Sequence, residues 1–305
     1  MQTTLRSPLS FDGRGLHSGQ PVRLTLRPAA AQTGIVFVRT DVAGPAAPLP
    51  ALWHSVEVSP LNTRLTRGDV SVSTIEHLMA ALSGCGVHNV IVEIDGPEVP
   101  IMDGSAAAFV RGIVSTGLTR MAAPLQAIEI LDEVRIENRD AWASLRPATS
   151  LQIDFEIDFP DAAIGHQRKT LNMANGSFVR ELCDSRTFCR NADVEDMRAH
   201  GLALGGTLDN AVVVDGAQVL TPGGLRHPDE AVRHKMLDAL GDLYTAGLPI
   251  LGRYTGHRAG HNLTNALLHA LFAAPERWRH VTCDAQIAAR LPGVGVSVAD
   301  LHAVA

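Results

Sequence analysis

Lysine is almost missing from this chain. Of 26 basic residues only Lys169 and Lys235 are lysines, and the rest are arginines. A lysine inside a chemically dense segment therefore stands out. Cysteine is also scarce. Cys85, Cys183, Cys189 and Cys283 form no C-x-x-C pair, which argues against a zinc knuckle or a thioredoxin-like motif. Four cysteines in 305 residues do not make a disulfide framework, so reduced thiols, most simply in the core of a cytoplasmic protein, are expected. No apolar run reaches the length of a transmembrane helix, and the first twenty residues hold no apolar signal-peptide stretch, so any membrane contact is expected to be peripheral. A net charge of −6 gives no electrostatic case for nucleic acid. What is present is a composition 46% hydrophobic and 19% charged, enough for a sizeable core in one large or two ordinary domains.

The periodicity predicts an α+β fold in two similar parts. In the first, Val22–Leu26, Ile35–Val38 and Asn89–Ile94 read as strands and Gly44–Pro50 as a loop. A helix is predicted over Thr74–Ser83, ended by Gly84 and Gly86, and another over Ala106–Ser115, opened by Asp103-Gly104-Ser105 and ended by Gly117. Thr119–Pro124 reads as a linker. In the second part, Ile128–Ile130, Ala143–Leu145, the alternating run Leu151–Phe159 and Ala211–Val214 read as strands. Helices are predicted near Val194–His200, over Glu230–Ala246 and, last, over Asn262–Ala273, with Leu248–Gly252 extended. Each part has a helix that begins near a histidine, then a strand and a second helix. This pattern hints at a duplicated unit whose motif helices face one another.

Two segments carry the chemistry. His234-Lys-Met-Leu-Asp238-Ala-Leu-Gly-Asp242 places His234, Asp238 and Asp242 on one helix face at i, i+4 and i+8. A His and an Asp one turn apart can chelate one metal. Ser73-Thr-Ile-Glu76-His77 offers a third ligand and a general base. The plainer readings are a solvated His234–Asp238 pair, a packed His77, and a capping box in which Glu76 bonds back to Ser73. The loop Gly256-His-Arg258-Ala-Gly260-His261 could bring a histidine close to a ligand or simply start a helix, and Asp242 could orient a histidine from elsewhere.

Taken in order, Gly15-Leu-His17-Ser-Gly19, Thr74–Leu78, Ile101–Ala106, Ser185–Phe188, Arg233–Leu243 and Gly260–Leu263 resemble the zinc-dependent UDP-3-O-acyl-N-acetylglucosamine deacetylases of lipid A biosynthesis in Gram-negative bacteria, from about residue 5 to residue 280. The resemblance implies two α+β domains, 1–122 and 126–285, each a sheet packed with two helices, the helices facing each other across a zinc-containing cleft. It implies an acyl-chain passage formed by an insert near 189–208. It also implies Zn2+ ligands at His77, His234 and Asp238, a general base at Glu76, a protonated His261 held by Asp242, and an oxyanion donor at Thr187. Lys235, Phe188, His17, Phe159 and Arg258 fall at substrate-contacting positions, Arg258 where a lysine is common near the diphosphate. The expected partner is the acylated UDP-amino sugar, handled by a cytoplasmic monomer. One departure stands out: Cys189-Arg190 follows Phe188 where the family commonly has Gly-Phe. A zinc amidohydrolase for another N-acylated sugar and a metal-free binding homologue are the alternatives.

Overall fold

The computed structural model describes residues 1–42, 47–59 and 61–303. Seven helices are described: α1 (Glu76–Cys85), α2 (Ala107–Thr116), α3 (Ser177–Glu181), α4 (Asn191–Ala199), α5 (Glu230–Tyr244), α6 (His261–Phe272) and α7 (Ala285–Ala288).

Two sheets share one pairing scheme. In the first, the strands run in the order Leu9–Arg14, Pro21–Pro28, Val90–Ile94, Ile35–Arg39, Leu49–Pro50. Every pairing is antiparallel except Ile35–Arg39 with Val90–Ile94. In the second sheet the strands Val134–Asn138, Ala141–Pro147, Ile250–His257, Gln152–Asp158 and His166–Asn172 repeat this order. Among these five strands the parallel pairing again lies between the central strand and the third strand in chain order, Gln152–Asp158. Gln126–Ile130 and Trp278–Thr282 extend the second sheet beside the start of Ile250–His257. In both parts the central strand is preceded by a motif helix, α1 or α5, and followed by a second, α2 or α6. The repetition glimpsed in the sequence is therefore a repetition of topology. Every named strand pairing falls inside residues 1–120 or inside 126–282, which supports the boundaries we propose for the two units.

Alternation builds these sheets. Val22, Leu24 and Leu26 point inward along Pro21–Pro28, and Ile153, Phe155 and Ile157 along Gln152–Asp158. Asp154 breaks the second pattern. It is buried on the opposite face, where Arg168 and Arg253 both reach its Oδ2, at 2.9 and 2.7 Å. Helix α1 has no solvent-exposed face, since all ten of its residues are buried. It lies against α5, and the two form the most extensive helix–helix contact in the molecule. Gly241 permits that contact: a Cβ there would stand 2.0 Å from the Glu76 carbonyl oxygen.

Several expectations need correction. Gly84 does not end α1; it lies inside the helix, where Phe178 packs against it, and Gly86 in the left-handed conformation is the terminator. The predicted loop Gly44–Pro50 lies partly outside the described residues, and its end, Leu49–Pro50, is an edge strand. The predicted linker begins as a strand, Leu118–Arg120, which pairs with Thr3–Leu5 and ties the start of the first part to its end. The helix predicted as the last is followed by α7. Beyond it the chain folds back on both parts: Leu291 joins Leu125, Ala127 and Leu251, and Gly293 packs on Gly86. Cys85 and Cys183 are core residues, but Cys189 and Cys283 are only half-buried.

Candidate metal centre and its cleft

Helices α1 and α5 bring the predicted ligands together. One ligand atom each from His77, His234 and Asp238 lies within 4.8 Å of the other two, and all three residues are buried. Asp238 Oδ1 is 3.3 Å from His234 Nε2 and 3.5 Å from His77 Nε2. The two imidazole rings meet edge to face at 4.9 Å. His234 Nδ1 sits 3.0 Å from the Ser185 carbonyl oxygen. A carbonyl only accepts, so Nδ1 carries the proton and Nε2 keeps its lone pair. Burial pushes the His234 imidazole down to about 4, which leaves it neutral at pH 7. Burial opposes ionisation of Asp238, but His234, Lys235 and His261 around it outweigh that and hold its carboxyl well below the usual range. Asp238 Oδ1 is fully buried and has no hydrogen-bond partner. A buried carboxylate oxygen without a donor is costly unless a cation satisfies it. The two imidazole nitrogens and this oxygen fit a divalent metal with an open position.

Glu76 opens α1, and it does not form the predicted capping box. Thr74 is in the left-handed region (φ 58°), the helix N-cap is Ile75, and Ser73 N–H bonds to the Pro97 carbonyl. Glu76 Oε2 instead accepts the Thr63 backbone N–H at 3.0 Å. Burial pushes its carboxyl above the usual range. His261 is the first residue of α6, and Asp242 Oδ2 lies 2.8 Å from its Nδ1. Burial would lower this imidazole, but the Asp242 and Asp238 charges and the Asp242 hydrogen bond raise it to about 9. Its Nε2 is 3.8 Å from Asp238 Oδ2. Thr187 is fixed by its N–H to the Gly104 carbonyl at 2.8 Å, so the Asp103-Gly104-Ser105 turn also supports the site. Arg186 and Glu230 form a buried ion pair at 2.9 Å, and Glu230 also accepts the Arg186 N–H. This pair locks the Ser185–Phe188 segment onto the start of α5.

Three spaces meet here. A cleft of about 740 Å³ is lined by Thr187, Phe188, His234, Lys235, Asp238 and His261, together with Phe159, Cys189 and Arg190. A second space of about 370 Å³, largely apolar, runs beneath α4 past Leu16, His17, Phe188, Val194, Ala211 and Val213. A third, also about 370 Å³, is walled by Phe159, Arg190, Lys235 and Arg258 together with Asp158 and Asp193. Phe188 stands at the junction of the first two, with Phe159 edge-on at 5.4 Å and His234 at 6.3 Å. His17 lies in the apolar space, its ring Nδ1 3.3 Å from the Ala203 N–H, rather than against the ligands. Lys235 Nζ is bound to Asp238 Oδ2 at 2.7 Å, and Arg258 to Asp140 at 2.5 Å. Sequence reasoning missed Thr63, Asn265 and Glu98, and singled out Arg190 only as a departure from the family pattern. Glu98 is a buried carboxylate that accepts the His17 and Ser18 N–H groups and the Thr74 hydroxyl.

A candidate three-ligand metal site on paired helices, with a buried acid and a carboxylate-held imidazole beside it, fits the class of metal-dependent hydrolases. Residues 2–273 match the family described as LpxC, UDP-3-O-acyl N-acetylglycosamine deacetylase, and the chain belongs to that family. It is 50% identical over 279 residues to a UDP-3-O-acyl-N-acetylglucosamine deacetylase of Phenylobacterium zucineum, covering 91% of this chain and 95% of that one. Proteins of the same name from Haemophilus influenzae (45% over 286 residues, 93% of each chain) and Shewanella oneidensis (43% over 299 residues, 96% of this chain and 97% of that one) are similarly alike.

Proposed function

We propose that this chain is a zinc-dependent amidohydrolase that removes the acetyl group from UDP-3-O-acyl-N-acetylglucosamine in lipid A biosynthesis, releasing acetate. The family membership supports the reaction. The observation that carries the metal assignment is the convergence of His77, His234 and Asp238 around an unpaired buried carboxylate oxygen.

A divalent metal held by these three side chains would supply Lewis acidity to the amide carbonyl and to water. Glu76, made more basic by burial, takes the proton as water attacks the acetamide carbon. Thr187, in the wall of the cleft, offers its hydroxyl to the developing oxyanion. His261, kept cationic by Asp242, is placed to protonate the departing amine. The apolar space beneath α4 suits the acyl chain. The pocket holding Lys235, Arg190 and Arg258 suits the diphosphate. The described residues contain no helix long and apolar enough to cross a membrane.

The test is acetate release from the acylated UDP-sugar by wild type, with and without chelator, and by Glu76→Gln. Turnover that stops on chelation and returns with zinc supports the reading, as does a loss of roughly 10²–10⁴-fold in Glu76→Gln. Chelator-resistant turnover overturns it.

A further inference from the structure

We infer that Thr63 is a positioning residue that sets the two proton-handling groups of the site in register with one another. The inference rests on the roles proposed above for Glu76 and for the His261–Asp242 pair.

Thr63 is fully buried, and each of its polar groups is committed to this machinery. Its backbone N–H donates to Glu76 Oε2 at 3.0 Å. Its carbonyl accepts the N–H of Ile75, the residue before Glu76, at 3.3 Å. Its hydroxyl donates to Asp242 Oδ1 at 2.6 Å, and the other oxygen of that carboxylate holds His261 Nδ1 at 2.8 Å. The same hydroxyl accepts from Asn265 Nδ2 at 3.2 Å, one turn along α6 from His261. One residue thus joins the starts of α1 and α6 to the last turn of α5.

The chemistry needs this. A hydroxyl has one proton to give. Asn265 Nδ2 can only donate to the Thr63 oxygen, so the hydroxyl proton is directed at Asp242. That fixes the Asp242 carboxylate in one rotamer and leaves Oδ2 aimed at the imidazole. The imidazole orientation, and with it the direction in which Nε2 presents a proton, follows from the Thr63 hydroxyl. On the other side the Thr63 N–H fixes one oxygen of Glu76. The two groups sit on different helices, and proton transfer falls off steeply with misplacement. Their common anchor is a short loop residue, not the helices themselves.

The experiment compares Thr63→Val, Thr63→Ala and Thr63→Ser, each also in an Asp242→Asn background, as metal-loaded enzyme. It records kcat and KM for acetate release, metal content and the thermal midpoint. If Thr63 positions Asp242, Thr63→Val and Thr63→Ala lower kcat about 10- to 100-fold, the range seen when an outer hydrogen-bond partner is lost. KM and metal content stay near wild type, and Thr63→Ser recovers most of the rate. In the Asp242→Asn background the same substitutions then cost little more. The inference is overturned if Thr63→Val and Thr63→Ala turn over normally while Asp242→Asn is impaired. It is also overturned if the two losses add, or if both variants fail to fold, which would assign Thr63 to the core alone. An Asp242→Asn enzyme with undiminished kcat would instead remove the underlying reading of the His261–Asp242 pair.

Discussion

At the scale of single residues, the site separates groups that must be neutral from groups that must be charged. His234 is pushed down to about 4 by burial, and His261 is raised to about 9 by Asp242 despite burial. The first suits a ligand, the second a proton donor. Two predictions follow from that division. Substituting His77, His234 or Asp238 by alanine should strip the metal, measured as zinc per chain by elemental analysis, while His261→Ala should keep it. Full metal occupancy in all three ligand variants would dissolve the assignment. The second concerns pH. His261 has a raised pKa and is needed as a cation, so the basic limb of activity should fall as pH rises through about 9. Asp242→Asn removes the charge that raises it, so the basic limb of kcat/KM should move to lower pH. An unmoved limb would mean that another group governs it.

At the scale of elements, the molecule shows why some of this could be read from sequence. His234 and Asp238 lie one turn apart on one helix, so their proximity is set by helix geometry, wherever that helix packs. The strands with alternating burial and the helix ended by Gly86 are likewise local. The Glu76 capping box failed because capping depends on where the helix begins. A left-handed Thr74 delays that beginning to Ile75, and Glu76 turns to Thr63. Thr63, 179 residues from Asp242, and Ser185, 49 from His234, had no local signal at all. Their partners are defined only once the tertiary fold is formed. The meeting of α1 and α5 is itself testable. Gly241→Ala would press a methyl into the Glu76 carbonyl, so the helices must part. We expect about 1–3 kcal/mol of lost stability, as for overpacked cores, by denaturant titration. Lost turnover should accompany it in the fraction that stays folded, because Glu76 moves with α1. Unchanged stability would mean that the helices are less tightly apposed than the 2.0 Å approach implies.

At the scale of the whole molecule, the duplicated sheets bring their motif helices into contact, and the cleft opens beside α5 at His234, Lys235 and Asp238. The segment between His166–Asn172 and α5 adds what the first part lacks, an apolar space beneath α4. On the other side of Phe188 and Phe159 stands the pocket with Arg190, Lys235 and Arg258. Arg190 lines both the cleft and that pocket, ion-paired with Asp161. An amphiphilic substrate would lie across all three spaces, chain to one side and diphosphate to the other. If so, the two ends can be impaired separately. Ala211 is buried in the wall of the apolar space, and Ala211→Phe should fill part of it without touching the ligands. Its kcat/KM should fall about tenfold or more for a long 3-O-acyl chain, since each buried methylene excluded is worth about 0.8 kcal/mol. A short-chain analogue should lose far less, and metal content should not change. Arg258→Ala should show the converse: a similar loss for long and short chains, fading as salt rises because the interaction it removes is screened. Equal sensitivity of both variants to acyl length would mean that the chain does not occupy the space beneath α4.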